Sequence, residues 1–259
     1  MGDRVFLSFD VEEFDLPLEY GRDIPLAEQV ETGLAGLEVV ERLLNRLRIS
    51  STLFCTGVLA EAAPATIRRL SESHEIASHA WSHTTFDPQA PEKSQTFLSE
   101  LVGGPVAGFR RPRLQHTDPE LLTRAGYRYD SSLNPIWLPG RYNNLGSPRL
   151  PHRKGGLVEI PISTTPLLRL PLFWLAFKKV PLPIFKTWCA ACLNADAHVN
   201  LFFHPWEFLD LSRYRLPGLV AHPNSAALLN KLERLLVWLK ARAAFDTFQS
   251  LVDVFESAE

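Results

Sequence analysis

Short apolar runs that each end on a residue able to do chemistry constrain this chain more than any other feature. Residues 4–9 end at Asp10, residues 75–78 at His79, residues 106–109 at Arg110, and residues 199–203 at His204, while residues 128–130 close on Asp130. Residues 51–55, 157–162 and 245–248 add further extended candidates. Between the runs lie helical stripes. Leu37, Val40, Leu44 and Leu47 recur at helical spacing, as do Leu59, Ala63, Ile67 and Leu70. Thr117-Asp118-Pro119 offers an N-cap and an early proline, and Asn224-Ser225 opens the clearest helix, to about Arg242. Strands alternating with helices predict βαβ units around a parallel sheet. In a chain of 259 residues, about seven or eight such units predict an α/β barrel. The C-terminal ends of parallel strands then meet on one face, where active sites are built. No repeat, low-complexity tract or linker divides the chain, so residues 1–259 are expected to form one domain.

Composition narrows the function classes. With 46% hydrophobic and 22% charged residues the chain is of ordinary globular type. A net charge of −2 supplies no basic field for nucleic acid. No apolar stretch reaches the ~18 residues of a membrane span. Three cysteines make no disulfide framework, and the first apolar run is too short for a signal-peptide core, so a cytoplasmic setting is expected. Many of the 20 prolines fall between residues 135 and 183, which predicts long loops there. Within that region the stretch from Leu167 to Phe177, followed by Lys178 and Lys179, fits either peripheral membrane contact or a loop and helix packed over one end of the barrel. Cys189 and Cys192 have a redox-like spacing, but they lie in an apolar helical segment with no preceding strand, and no redox site is expected.

Asp10 and Glu12 are two apart, so a strand continuing through them turns both carboxylates to one side and Glu13 to the other. One could bind metal while the other stays free as a base; a solvated acidic turn is the plain alternative. His79 and His83, four apart, would share a face on a helical turn, a common arrangement for two zinc ligands, although the spacing also fits structural histidines. Two imidazoles and one carboxylate make an open metal site. Arg110 is a candidate partner for a buried carboxylate, or part of a basic loop with Arg111 and Arg113. His204 is a candidate general acid, with Asp130 to fix its tautomer, or else a satisfied core histidine.

In this order, Phe9-Asp10-Val11-Glu12-Glu13, His74-Glu75-Ile76-Ala77-Ser78-His79-Ala80-Trp81-Ser82-His83, Arg110-Arg111-Pro112-Arg113, Tyr129-Asp130-Ser131-Ser132 and Phe203-His204-Pro205-Trp206-Glu207 resemble the motifs of the polysaccharide deacetylase superfamily, the NodB-homology or carbohydrate esterase family 4 group. The likeness spans about residues 4–210 and is to the branch whose first motif is Asp-Val-Asp/Glu. It implies a distorted (β/α) barrel holding a single catalytic domain. It implies Asp10 as base, Glu12, His79 and His83 as metal ligands, Arg110 orienting the base, Asp130 orienting the acid, and His204 as acid. Arg113, through its backbone N–H, and Trp206 are implied on the substrate and oxyanion side. Glu12 stands where Asp is commoner. Arg113 stands where an aromatic residue is usual, which would favour an anionic substrate. The implied reaction depends on a divalent metal, with zinc expected, and removes an acetyl or other N-acyl group from an amino sugar. The sugar would be carried on a lipid or nucleotide in a surface-glycan pathway, on the cytoplasmic side of a membrane. An allantoinase-like cyclic-amide hydrolase and a non-catalytic glycan-binding protein are the competing classes.

Overall fold

The computed structural model describes residues 2–85, 87–221 and 224–257. Its centre is β1 (Arg4–Val11), a run buried on both faces and flanked by parallel neighbours, as expected of a near-continuous apolar strand. The chain continues through α1 (Leu26–Leu47), β2 (Thr52–Cys55), α2 (Gly57–Ala62), α3 (Pro64–Leu70), β3 (Glu75–Ser78), α4 (Ala90–Val102), β4 (Gly108–Phe109), α5 (Pro119–Arg124) and β5 (Tyr129–Asp130). Next come the short hairpin β6 (Trp137–Leu138) and β7 (Tyr142–Asn143), and the antiparallel pair β8 (His152–Lys154) and β9 (Leu157–Glu159). Then follow α6 (Trp174–Lys179), α7 (Leu182–Asp196), β10 (His198–Phe203), α8 (Ser225–Lys240), β11 (Ala244–Asp246) and α9 (Phe248–Ser257).

The main sheet runs β10-β1-β2-β3-β4-β5-β9-β8, with β11 also paired to β1. Only β8 breaks the parallel order. The sheet curls toward closure beyond β9. There Pro161 lacks the N–H a ladder needs, so Asn200 of β10 reaches across, its amide donating to the Pro161 carbonyl at 2.9 Å while Ser163 N–H donates to the Asn200 carbonyl at 3.2 Å. The fold is thus the expected distorted barrel. Its units are uneven, because β5 leads into the β6–β7 hairpin rather than a helix.

Strand alternation sorts β1 onto two surfaces. Val5, Leu7, Phe9 and Val11 face the outer core with Leu37, Val40 and Leu44 of α1. Phe6 faces inward, against Phe54, Tyr129 and Phe248, the last from α9, which plugs the floor of the curl. Ser8 and Asp10 continue that inward row toward the strand's C-terminal end. The register sets β1 beside β10 as Phe9↔Phe203, β3 beside β4 as Ser78↔Phe109, and β4 beside β5 as Phe109↔Asp130. Asp10, His79, Arg110, Asp130 and His204 are thereby brought to one end of the barrel.

Helix α1 is pressed unusually close to that end. A Cβ on Gly33 would sit 2.3 Å from the Glu12 carbonyl oxygen, and one on Gly36 2.5 Å from the Pro205–Trp206 backbone. Only glycine permits this approach, which fixes the chain on both sides of the site. The helix expected through Leu59 and Leu70 is two helices, because Pro64 starts a new one after Ala63 leaves helical geometry.

Candidate active site

Arg110 is fully buried and spends its guanidinium on the inward row. Its Nη1 donates to Asp10 Oδ1 at 2.6 Å and to Ser8 Oγ at 3.0 Å, while Nε and Nη2 donate to the Ser131 carbonyl and hydroxyl at 3.0 and 3.1 Å. The group also lies 4.0 Å over the Phe54 ring. Asp10 Oδ2 is left facing His79 Nε2 at 4.0 Å and His204 Nε2 at 3.8 Å. Burial works to raise the Asp10 pKa, but Arg110, His79 and His204 outweigh it and hold the carboxyl below the usual range. The result is an ionised carboxylate with one oxygen anchored and one directed at the imidazoles.

Glu12 lies just beyond β1, with Oε2 3.1 Å from both His79 Nε2 and His83 Nε2. The histidines meet, but not on a helical turn as their spacing predicted. His79 N–H continues the ladder to the Cys55 carbonyl at 2.8 Å, and Ala80 then turns through the left-handed region at φ 60°. The Ala80 and Trp81 carbonyls accept from the N–H groups of Gly57 and Val58 at the start of α2, at 3.0 and 2.9 Å. Glu13, on the opposite side from Glu12, fixes the return by accepting His83 N–H at 2.8 Å and the Thr56 hydroxyl at 2.6 Å.

The tautomers follow from the partners. His79 Nδ1–H donates to the Arg110 carbonyl and His83 Nδ1–H to Asp15 Oδ1, each at 2.8 Å. Both Nε2 lone pairs therefore point at the Glu12 carboxylate. The three acceptor atoms lie within 4.8 Å of one another. Glu12 Oε2 and His79 Nε2 are buried without a hydrogen-bond partner. Such an arrangement repels itself unless a positive charge sits among the atoms. Burial disfavours charge on His83, yet Glu12 and Asp15 raise its pKa to about 9, so that without a metal a proton on His83 Nε2 supplies that charge. Two nitrogens and one oxygen, each anchored from behind, suit a divalent metal with open positions.

His204 closes the opposite side. Its Nδ1 donates to Glu207 Oε1 at 2.9 Å, and its backbone N–H donates to the same oxygen at 2.8 Å. Glu207 Oε2 lies 3.1 Å from Lys178 Nζ. Burial lowers the His204 pKa, but Glu12, Glu207 and Asp10 together raise it above the ordinary value. Asp130 is not its orienter, contrary to expectation. Among the described residues no hydrogen bond or ion pair joins the two. Asp130 accepts from the Ser132 hydroxyl and lies in register with Glu159, because β5 is separated from β10 by the turn of the barrel. Burial and the Glu159 charge push the Asp130 pKa well above the carboxylate range.

Two further expectations shift. Trp206 stacks on the His204 ring at 4.7 Å, and its indole N–H donates to Glu12 Oε1 at 3.1 Å, so this donor is committed to Glu12 rather than to an oxyanion. The Arg113 guanidinium is likewise engaged, with Glu19 at 2.7 Å, Asp15 at 2.9 Å and the His83 carbonyl at 3.1 Å, so it offers no uncompensated charge to an anionic substrate. Arg113 itself adopts φ 59° beside the site. Asp15, Glu207 and Lys178 were not singled out from the sequence. Glu207 had a signal, an acid three residues after a strand-end histidine; Asp15 had none.

A cavity of about 240 Å³ opens over these groups, with Asp10, Glu12, His83 and His204 on its polar side and Phe173, Trp174 and Leu175 on its apolar side. Phe173–Leu175 of the stretch 167–177 therefore form a wall of the cleft. Leu172, Phe173 and Phe177 are buried, and Phe173 bridges to Phe202 of β10; Leu167 and Leu168 remain exposed, at 93% and 76%. No helix among the described residues is long and apolar enough to cross a membrane.

Fold and site together bring an ionised carboxylate, an acid–imidazole pair and the Glu12, His79 and His83 cluster into one cleft at the end of an α/β barrel. Residues 35–129 match the family described as polysaccharide deacetylase, and residues 131–253 match a domain family of unknown function. A peptidoglycan deacetylase-like protein from Gibberella zeae is 33% identical over 114 residues, 39% of this chain and 34% of that protein, so the chain spans about a third of that relative's length. Across the whole chain, a Mycobacterium smegmatis structure assigned as a polysaccharide deacetylase superposes with a TM-score of 0.67 at 22% identity, covering 100% of this chain and 92% of that one. A Puue allantoinase superposes with a TM-score of 0.62 at 17% identity, covering 98% and 90%. These structures share the fold. The stretch that matches the polysaccharide deacetylase family includes His79, His83 and Arg110.

Proposed function

We propose that the chain is an N-deacetylase that removes an acetyl or similar acyl group from an amino sugar, with Glu12, His79 and His83 holding a divalent cation. Zinc suits the two imidazoles and one carboxylate. Bound there, the cation supplies Lewis acidity to the acyl carbonyl and lowers the pKa of a water. Asp10 takes the proton of the attacking water at Oδ2, since Arg110 occupies Oδ1 and keeps the group ionised. His204 gives a proton from Nε2 to the departing amine, because Nδ1 is held by Glu207. The oxyanion is assigned to the backbone N–H of Arg113, the role that the motif resemblance implies for it.

The observation that carries this reading is the convergence of unpartnered Glu12 Oε2 and His79 Nε2 with Asp10 Oδ2 and His204 Nε2, the last two 3.8 Å apart. The exposed Leu167 and Leu168 support a sugar carried on an apolar group. His79→Ala should lose both bound zinc and release of acetate from N-acetylated chitooligosaccharides; full activity would sink the mechanism. An allantoinase-type reading, favoured only by the shared fold, requires turnover of a cyclic amide by protein freed of metal.

A further inference from the structure

Helix α6 lies in the segment matched by the family of unknown function, and the reaction so far uses none of its side chains. Trp174 and Lys178 are four apart on it and share a face. Trp174 meets the His204 ring edge-on at 5.1 Å and 81°, while Trp206 covers a face of the same ring at 4.7 Å and 20°. Lys178 Nζ lies 4.6 and 5.5 Å over these two indoles, 3.1 Å from Glu207 Oε2, and donates to the Val220 carbonyl at 2.9 Å. Its side chain is 1% exposed. Burying an ammonium is costly, and an apolar residue of similar volume would pack as well for stability alone. The ammonium forms an ion pair with the oxygen of Glu207 that His204 leaves free.

We propose that Lys178 is a positioning residue for His204, acting through Glu207. Glu207 can then present Oε1 to the His204 ring in only one orientation, which keeps Nε2 aimed toward Asp10 and Glu12. The segment 131–253 on this account supplies the acid of the reaction centre and both groups that position it. The proposal rests on the reading of His204 as the acid that protonates the leaving amine.

The test compares two substrates and one spectrum. An amine must be protonated to leave, whereas the phenolate of 4-nitrophenyl acetate leaves without a proton. In zinc-loaded protein, Lys178→Met should lower kcat for an N-acetylated chitooligosaccharide about 10–100-fold, a part of the ~10²–10⁴ that a general acid contributes. KM and the aryl-ester rate should stay within about threefold. Lys178→Gln, which keeps a donor for Glu207, should recover part of the amide rate and guards against a misfolded methionine variant. In histidine-¹⁵N-labelled protein, the His204 ring resonances, assigned by their absence in His204→Ala, should shift in Lys178→Met. Equal loss on both substrates, or an unshifted His204 ring, overturns the proposal. Undiminished amide turnover in His204→Ala instead overturns the acid assignment itself, and the spectrum still decides whether Lys178 positions that ring.

Discussion

Asp10 and Asp130 each close a buried parallel strand at the same end of the barrel, yet Arg110 bonds the first at 2.6 Å while Glu159 lies in register beside the second. Asp10 also faces two imidazoles; Asp130 has the Ser132 hydroxyl, and the nearby Lys154 is bonded to Glu159 at 3.0 Å. The same residue in the same kind of position is held ionised in one case and pushed toward its neutral form in the other. A strand end delivers a carboxyl to the reactive face. The charge beside it decides whether the carboxyl can act as a base.

The largest expected effect separates the pair by rate. Asp10→Asn should lower kcat for amide hydrolysis by about 10³–10⁴, the upper part of the range for a lost acid–base group, while Asp130→Asn stays within about tenfold. Equal losses in steady-state assays would erase the distinction. Removing the cation that makes Asp10 different should be nearly as severe, but in stability. Arg110→Met leaves Asp10 and the Ser131 carbonyl unpaired in the interior and should cost about 3–5 kcal/mol in urea unfolding. A smaller effect comes from the helix behind the site. Gly36→Ala drives a methyl into the Pro205–Trp206 backbone and should cost about 1–3 kcal/mol while lowering turnover, whereas Gly103→Ala, with nothing near its Cβ but a positive φ, should lower stability without touching turnover. The smallest effect is a pH dependence. The folded-state pKa of Asp130 lies above its unfolded value of about 3.9, so its contribution to stability is full below that pH and is lost as pH rises through the folded pKa. Asp130→Asn should therefore gain in Tm on the wild type as pH rises from about 4 to 7; parallel curves would contradict the buried, raised carboxyl.

Much of this architecture was legible because parallel strands covered on both faces are apolar along their length, and their ends stand out when a charged residue follows. The period of two also placed Glu12 with Asp10 and turned Glu13 away. The histidine pair was legible as a pair but not in its conformation, since nothing in Ala80 announces a left-handed turn at φ 60°. The orienter of His204 was misassigned for a different reason. A carboxylate three residues along the chain can fold back onto its own histidine, and that local option competes with a carboxylate several strands away. Lys178 follows a stretch that fitted either membrane contact or packing over the barrel end, and it read as a flanking cation in both. Apolar composition alone does not distinguish a segment that lies on lipid from one that walls a cleft. Gly33 and Gly36 carried a signal in retrospect: two glycines on one helix mark a close approach of backbone, though not of which backbone.

Zinc located in crystals of the purified protein tests the central claim most directly. Anomalous scattering should place one ion about 2.0–2.2 Å from Glu12 Oε2, His79 Nε2 and His83 Nε2, with Asp10 outside bonding distance and its Oδ2 free. An ion ligated by Asp10 in place of Glu12, or none in the cluster at saturating zinc, would contradict the assignment of base and ligands on which the account depends.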